Sequence, residues 1–377
     1  MQNLTPYMDP FFGNGTIALP RPKKIAAKWF FLKAQTGNTH PGACAPLSAI
    51  SVGPYTGAYP TGYGINAPNP HARPRQYLHE LAAMGFSHLQ QSGTGAVGTY
   101  YNYFLVTPLA GESLEPLGTH WTLEDERAQP GYYTTGLASA TPGGAGIRAE
   151  LTATPAVALH RYTFGHEGRA QIAVDFGSGG LDFAWHRSRP SEAEVSLDGP
   201  NAAQGYVVME GVRLYVYLEC LPDGAGALGT EVESALWHDK QRIGRKLNWS
   251  IDVPRIERSK PFGVVFCFDA VQSPVVLRLA LSLHSVERAR ERVAEARSRS
   301  FDEVRNETLA AWNRCARHVQ VEGGTDEQRQ ILYSSLYHSL VKPAQWPGEG
   351  PWWEKDASRG APFYVDFATM WDQYKTQ

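Results

Sequence analysis

Hydrophobic residues in the middle of the chain follow the two-residue period of β-strands. Residues 212–220 place an apolar side chain at every second position, between Arg, Tyr and Glu, which predicts a strand with one buried face. Residues 171–176 and 275–283 alternate in the same way, whereas 262–268 are almost entirely apolar and predict a strand covered on both faces. Many short strands joined by glycine-rich turns favour a large antiparallel β-sandwich over a parallel sheet.

The period of the pattern changes near residue 285, where helical spacing begins. Arginines and glutamates around Arg288, Arg290 and Arg292 predict a charged, solvated helix. Two capping boxes predict two further helices, and the apolar positions that follow each box recur at helical spacing. The boxes run from Ser300 to Glu303 and from Thr325 to Gln328. The pattern therefore divides the chain near residue 284 into a β domain and a helical segment.

The remaining parts of the chain give weaker patterns. Residues 1–30 are rich in proline and then basic, and the run Trp29–Leu32 predicts a first strand. Residues 36–78 hold many Gly, Pro and Asn and predict long loops, and the stretch Gln76–Met84 predicts a single helix. The tail, residues 343–370, predicts loop.

Composition narrows the class of protein. A chain of 377 residues has the length of two domains, or of one large β domain with an appendage. The net charge of −2 argues against a nucleic acid as partner, and no run of about 18 apolar residues predicts a membrane span. The amino terminus lacks the basic start and apolar core of a secretion signal, so we expect a cytoplasmic protein or a start site that omits the leader.

Four cysteines occur, at separations that match neither a zinc site nor a redox pair. Cys220 and Cys267 lie in apolar strands, which predicts buried thiols. Cys44 lies in a loop, and burial is the more common fate of a free cysteine than a reactive role.

The stretch Gly85–Gly95 combines three glycines with two serines, a threonine and a histidine. Glycine lets the backbone approach a ligand closely, and the hydroxyl, imidazole and amide groups offer neutral hydrogen bonds of the kind that sugars use. The alternative is a tight connection between two strands. The 11% aromatic content suits stacking on sugars and a large β core equally well.

The residues themselves nominate no pair of catalytic carboxyl groups. Glu150 lies at the start of a strand and is expected to pair with Arg148 or with Arg161. Glu354 and Asp356 lie in an aromatic loop, where carboxylates usually face solvent.

Four blocks of sequence, in order, resemble glycoside hydrolase family 92, the calcium-dependent exo-acting α-mannosidases. The blocks are Gly37–Ala43 with Pro46 and Ser51–Pro54, then Gly85–Gly95, then Glu150–Thr154 with His160–Phe164, and last Tyr333–Tyr337 with Met370–Tyr374. The set spans nearly the whole chain. The ordered set is more specific than any one of its members.

The resemblance implies a mainly β fold in three parts. Residues 1–284 would form the amino-terminal β-sandwich, 285–324 linker helices, and 325–377 the start of an (α/α)6-type catalytic domain. The family's catalytic acid, base and most of its calcium ligands would then lie beyond Gln377. We therefore name no catalytic residue and no metal ligand in this chain, and expect it to be inactive alone, with calcium as the cofactor of the whole enzyme.

The resemblance also implies substrate-binding residues. They are Tyr63, His88, Ser92, Gly93, Thr94, Trp371 and Asp372. The carboxylate of Asp372 would accept hydrogen bonds from hydroxyls of the terminal mannose. A lone histidine such as His88 is more often structural. Two positions depart from the family, because Gln90 replaces a common histidine and Lys375 replaces an arginine.

Two functions of different classes stay open. The first is an inverting exo-α-mannosidase that removes terminal α-mannose from oligosaccharides or N-glycans. The second is a non-catalytic carbohydrate-binding β-sandwich. In either case the expected partner is a mannose-containing glycan, together with the remaining helical domain or a complementary subunit. Family members are often periplasmic or secreted, in contrast to the cytoplasmic expectation above.

Overall fold

The structure is a computed structural model. It describes residues 2–15, 39–56, 62–63, 82–90, 103–112, 114, 121–139, 146–165, 168–177, 190–209, 211–223, 231–238, 241–244, 248–252, 262–268, 274–350 and 362–365. These residues form two large antiparallel sheets and a short two-stranded ladder, and three α-helices follow the large sheets in the sequence. This is the predicted mainly β fold class.

Strands make up most of the regular structure of the described residues. They are β1 (Ala43–Cys44), β2 (Ser51–Tyr55), β3 (Ala82–Ala83), β4 (Gly85–Ser87), β5 (Leu105–Ala110), β6 (Trp121–Gln129), β7 (Tyr132–Ser139), β8 (Ile147–Ala153), β9 (Val157–Phe164), β10 (Ala170–Asp175), β11 (Glu192–Leu197), β12 (Ala202–Met209), β13 (Val212–Pro222), β14 (Val232–His238), β15 (Gln241–Gly244), β16 (Asn248–Asp252), β17 (Phe262–Phe268), β18 (Val275–Ser282), β19 (Ala344–Gln345) and β20 (Tyr364–Val365). The helices are α1 (Val286–Arg297), α2 (Phe301–Ala316) and α3 (Asp326–Ser339), and a 3-10 turn spans Thr5–Tyr7.

The two large sheets pack as a sandwich. The eight-stranded sheet has the order β1-β2-β4-β5-β10-β17-β14-β15, and the ten-stranded sheet has the order β16-β11-β12-β13-β18-β9-β8-β7-β6-β3. Side chains of both sheets share one core, with Val174 and Phe266 from the first sheet and Leu218 and Leu279 from the second. The alternation along the strands places these residues inward and their neighbours outward.

The strand β17 is buried at all seven positions, as its apolar sequence predicted. A second cluster covers its outer face, where Val265 and Cys267 pack with Ala173 and Trp237. The thiols of Cys220 and Cys267 are both buried, which confirms their prediction.

The helix α1 lies on the outer face of the ten-stranded sheet, where Ala289 and Val293 pack against Tyr217 and Ala280. The prediction of a solvated charged helix is therefore wrong for one of its faces. Arg292 on that face is only 6% exposed, because its guanidinium group lies against Glu349. The sequence pattern alone cannot separate this arginine from its exposed neighbours.

Both predicted capping boxes are present, at Ser300 before α2 and at Thr325 before α3. In each box two side chains accept hydrogen bonds from two backbone N–H groups at the helix start, so the local sequence sets both boundaries. The two helices enclose a further apolar cluster with the amino-terminal segment, in which Trp312 and Tyr337 contact Leu4.

Two predictions for local structure are wrong. The helix predicted for Gln76–Met84 is wrong at its end, because Ala82 and Ala83 form β3 and pair with Thr122 and Trp121 of β6, and residues 76–81 lie outside the described residues. Pairing with a neighbouring strand outweighs the helical propensity of alanine here. The tail predicted as loop contains the ladder of β19 with β20. The predicted strand Trp29–Leu32 lies outside the described residues.

Candidate functional site

The first and last blocks of the family resemblance meet between β1 and the helices. The hydroxyl of Tyr337 in α3 donates to the carbonyl of Gly42 at 3.3 Å, and the indole of Trp312 in α2 donates to the carbonyl of Cys44 at 2.7 Å. Gly42 also donates from its backbone to Nδ1 of His40 at 3.0 Å. The helices are thus fixed directly on the loop that carries the first block.

Burial, together with smaller effects of the nearby His338 and Lys342, lowers the pKa of His40 to about 3. Burial likewise raises the pKa of the Cys44 thiol to about 12, so this thiol stays protonated and unreactive at neutral pH. Both side chains therefore act as neutral packing groups. A reactive role for Cys44 has no support in this environment.

The second block runs beside β2 and is held by backbone and amide hydrogen bonds. The backbone of Ser51 donates to the carbonyl of His88 at 3.0 Å, and that of Gln90 donates to Ser51 at 3.2 Å. The Gln90 amide donates to the carbonyls of Gly53 and Pro54 at 3.0 and 2.8 Å. Gln90 therefore fastens this segment to β2.

A buried chain of hydrogen bonds links the second block to the third. Nδ1 of His88 lies 3.2 Å from the carbonyl of Tyr103, and its Nε2 lies 2.8 Å from Nε2 of His160. Nδ1 of His160 lies 2.9 Å from the hydroxyl of Tyr162. All contacts are satisfied when His88 donates to Tyr103, His160 donates to His88, and Tyr162 donates to His160, with both rings neutral.

Burial lowers the pKa of His88 to about 4 and holds that of His160 well below its ordinary value. Both rings are fully buried, and both nitrogens of His88 already have partners within the protein. This placement fits the structural interpretation of His88 better than direct contact with a sugar.

The predicted sugar-binding residue Tyr63 is also buried. Its hydroxyl donates to Oε1 of Glu126 at 3.0 Å, and the hydroxyl of Tyr133 donates to the same oxygen at 2.5 Å. Burial raises the pKa of Glu126, and the two tyrosine hydrogen bonds only partly oppose this effect. Sequence reasoning missed Glu126, because it lies in a run of charged residues that is typical of an exposed strand edge.

Glu150 pairs with Arg161 and not with Arg148, which decides between the two alternatives left open. Nε of Arg161 lies 2.8 Å from the Glu150 carboxylate, and Nη1 lies 2.9 Å from that of Asp302. The guanidinium also lies 4.2 Å from the centre of the Phe301 ring. Burial raises the pKa of Glu150, but the hydrogen bonds from Arg161 and a tyrosine outweigh it and lower the pKa overall. The network joins β8 and β9 to the start of α2.

Five predicted substrate-binding residues lie outside the described residues. They are Ser92, Gly93, Thr94, Trp371 and Asp372. Their distances from one another and from Tyr63 and His88 are therefore not given by the structure, and their roles stay predictions.

A cavity of about 520 Å³ lies between α2, the loop after β1 and the turn between β8 and β9. Its lining includes Pro46, Pro155, Arg314 and the ion pair of Arg299 with Glu307, whose atoms are 2.8 Å apart. Among the described residues that line it, no Trp, Tyr or Phe offers the stacking platform that sugar sites commonly have.

Among the described residues, no three His, Cys, Asp or Glu side chains lie close enough together to hold one metal ion. Of the helices in the described ranges, none combines the length and the apolar character that a bilayer-spanning helix needs.

The chain matches both domains of one carbohydrate-active family. Residues 7–282 match the N-terminal domain of glycosyl hydrolase family 92, and residues 288–377 match its catalytic domain. The chain therefore belongs to glycosyl hydrolase family 92, as the four blocks indicated.

A curated relative, an uncharacterized secreted glycosidase of Arthroderma benhamiae, is 24% identical over 78% of this chain and 39% of its own length. The prediction of a cytoplasmic protein gains no support from this relative. Among solved structures, a family 92 α-mannosidase of Bacteroides thetaiotaomicron superposes with a TM-score of 0.65 at 20% identity, over 99% of this chain and 46% of that one.

An inverting family 92 mannosidase of the same bacterium gives a TM-score of 0.65 at 18% identity, over 97% of this chain and 42% of that one. A further family 92 glycosyl hydrolase gives 0.70 at 20%, over 98% of this chain and 45% of that one. At these identities the likeness shows the shared fold. The chain spans less than half the length of these relatives.

Proposed function

We propose that this chain is the glycan-binding front part of an inverting exo-α-mannosidase that removes terminal α-mannose from oligosaccharides or N-glycans. One observation carries the proposal. Motif blocks far apart in the sequence are joined by direct hydrogen bonds, between Gly42 and Tyr337 and between His88 and His160. Family membership supports a glycosidase, and mannosidases are among the proteins that share the fold.

The described residues would supply the framework of the site. The bonds of Trp312 and Tyr337 fix α2 and α3 on the first block, and Arg161 fixes the start of α2 on the sandwich. A sugar site between a sheet and helices needs such fixed positions, because a displacement of about 1 Å can lower activity a hundredfold. In this proposal Asp372 and the Ser92–Thr94 loop bind the terminal mannose.

Inverting glycosidases use two carboxyl groups roughly 6.5–9.5 Å apart, one as acid and one as base. We propose that both come from the part of the family proteins that this chain does not span. This chain would then bind glycan, and hydrolysis would occur only in a protein of full family length. Calcium would be held there too, where it could bind sugar hydroxyls.

Carbohydrate binding without hydrolysis is the second candidate. The observation that favours it is the use of Gln90, in place of the family's common histidine, as a purely structural amide. Such a domain would keep the framework and a sugar-binding surface but would need no acid and base.

The test uses two proteins, this chain and a version extended to full family length. An aryl α-mannoside is supplied with calcium and then with a chelator, and a mannose-containing oligosaccharide is titrated into each protein. We expect turnover by the extended protein, its loss with Asp372→Asn, and no effect of Glu291→Gln on the exposed face of α1. Binding without turnover by the extended protein would favour the second candidate, and neither binding nor turnover would refute both.

A further inference from the structure

The strand β6 contains a bulge that changes the direction of one carboxyl group. Its register with β7 shifts between Glu124 and Arg127, and Asp125 within the bulge has a φ of +48°. Residues other than glycine adopt this conformation at a cost of roughly 1–2 kcal/mol. Bulges and left-handed residues concentrate near functional sites, where they direct a side chain. Here the bulge brings Glu126 against Tyr133, a residue of the sandwich core.

The tyrosines that face Glu126 come from two other elements, the Gly62–Tyr63 turn and the strand β7. Burial raises the pKa of both Tyr63 and Tyr133, so each keeps its proton and acts as a donor. The carboxyl group is therefore the titrating member of this cluster, and its own pKa lies above the ordinary value of 4.5.

The cluster leaves hydrogen-bonding capacity on one oxygen of Glu126. A carboxylate oxygen accepts about two hydrogen bonds, and Oε1 already receives Tyr133 and Tyr63. Within the described residues, Oε2 receives only the longer 3.3 Å contact from Tyr63. The residue is only half-buried, and Oε2 has the capacity to accept from another donor.

We propose that Oε2 of Glu126 accepts a hydroxyl hydrogen of the bound glycan, while Tyr63 and Tyr133 hold the carboxylate in position. This inference rests on the proposed function and adds a residue to its binding site. Ionised acceptors form stronger hydrogen bonds with hydroxyl groups than neutral ones do. Tyr63 then serves as a positioning residue, which explains why its hydroxyl is turned to a carboxylate and not to solvent.

Calorimetric titration of a mannose-containing oligosaccharide into the full chain tests this role. Glu126→Gln keeps the shape of the side chain and should weaken binding about tenfold, because a charge-assisted bond becomes a neutral one. Glu124→Gln is the matched control, since it lies two residues earlier on the same strand and is exposed. This control should bind as the wild type does.

The pH dependence of binding separates a direct contact from a structural one. Wild-type affinity should fall as the pH drops through the pKa of Glu126, and Glu126→Gln should remove this dependence. If that variant does not fold, Tyr133→Phe replaces it. Without the hydrogen bond from Tyr133 the ionised form of Glu126 is less stable and its pKa rises, so the midpoint of binding should move to higher pH. A purely structural role of Glu126 would not produce this change.

Equal affinity and equal pH dependence in Glu126→Gln and the wild type would overturn this inference and leave the proposed function intact. A Tyr133→Phe midpoint equal to that of the wild type would overturn it as well. A wild-type chain that binds none of the oligosaccharides would overturn the proposed function together with the inference. Thermal melting of each variant shows that the binding differences are measured on folded protein.

Discussion

The ion pair of Arg292 and Glu349 allows a quantitative test of how α1 is held on the sandwich. Nη2 of Arg292 lies 2.6 Å from Oε1 of Glu349, and the two side chains are 6% and 0% exposed. Arg292 also donates to the carbonyls of Leu281 and Pro347 at 2.7 and 3.1 Å. The other carboxylate oxygen accepts from the backbone of Leu283 at 2.7 Å. The pair thus joins α1, the end of β18 and the segment after β19.

Glu349→Gln keeps the size of the side chain and an acceptor for the backbone, but removes the negative charge. The guanidinium of Arg292 then stays buried without a counter-charge, and breaking a buried pair in this way costs about 3–5 kcal/mol. Because the amide still accepts one hydrogen bond, we expect a loss near 3 kcal/mol. Burial already lowers the pKa of Arg292 despite the carboxylate, which agrees with a costly buried charge.

Urea unfolding of the wild type and the variant measures this loss as a shift of the midpoint. Arg288→Met on the same helix is the matched control, because Arg288 pairs with Glu291 at 3.0 Å and both side chains are largely exposed. Exposed pairs contribute about 0–1 kcal/mol, so this variant should be nearly as stable as the wild type. A Glu349→Gln loss below about 1 kcal/mol, equal to that control, would refute the reasoning.

Two further predictions concern the junction of the sequence blocks. The pKa of His88 is about 4 in the folded chain and 6.5 when unfolded, so the unfolded state binds more protons between these values. Stability should therefore fall as the pH is lowered from 6.5 to 4. Burial also lowers the pKa of His160, so His160→Gln removes one of the two buried histidines and should reduce this fall. Urea unfolding at several pH values measures both effects. Gly42→Ala should cost about 1–3 kcal/mol in the same assay. Its Cβ would lie 2.3 Å from the carbonyl oxygen of Val52.

Each of these variants has a control on the surface. Gly15→Ala introduces a Cβ with no atom of the described residues within 4 Å and should leave stability unchanged. His318→Gln replaces an exposed histidine and should leave stability unchanged. An unaltered pH profile in His160→Gln, or wild-type stability in Gly42→Ala, would contradict the tight packing described for this junction.

Local patterns determined much of the fold. The strands β13 and β17 follow from alternation and from a continuous apolar run, because strand side chains point to opposite faces in turn. The starts of α2 and α3 follow from capping boxes, because the bonds involved join residues three apart. These features need no knowledge of the rest of the chain, so the sequence was sufficient for them.

Other features depend on contacts between residues distant in the sequence. Gly42 and Tyr337 are 295 positions apart, and no pattern near either residue predicts their hydrogen bond. The arginines of α1 look alike in the sequence. Arg292 is a buried charge because it lies against Glu349, which is distant in the sequence. Glu126 resembles its exposed neighbours in sequence, and only the bulge places it beneath two tyrosines.

The sequence by itself determined the family, the sandwich of strands and the helices that follow, because these depend on periodicity and on ordered motifs. The tertiary structure decided what the motif residues do. It gave His88 and Gln90 structural partners and turned Tyr63 toward a carboxylate, since hydrogen bonds and burial depend on which segments meet in space.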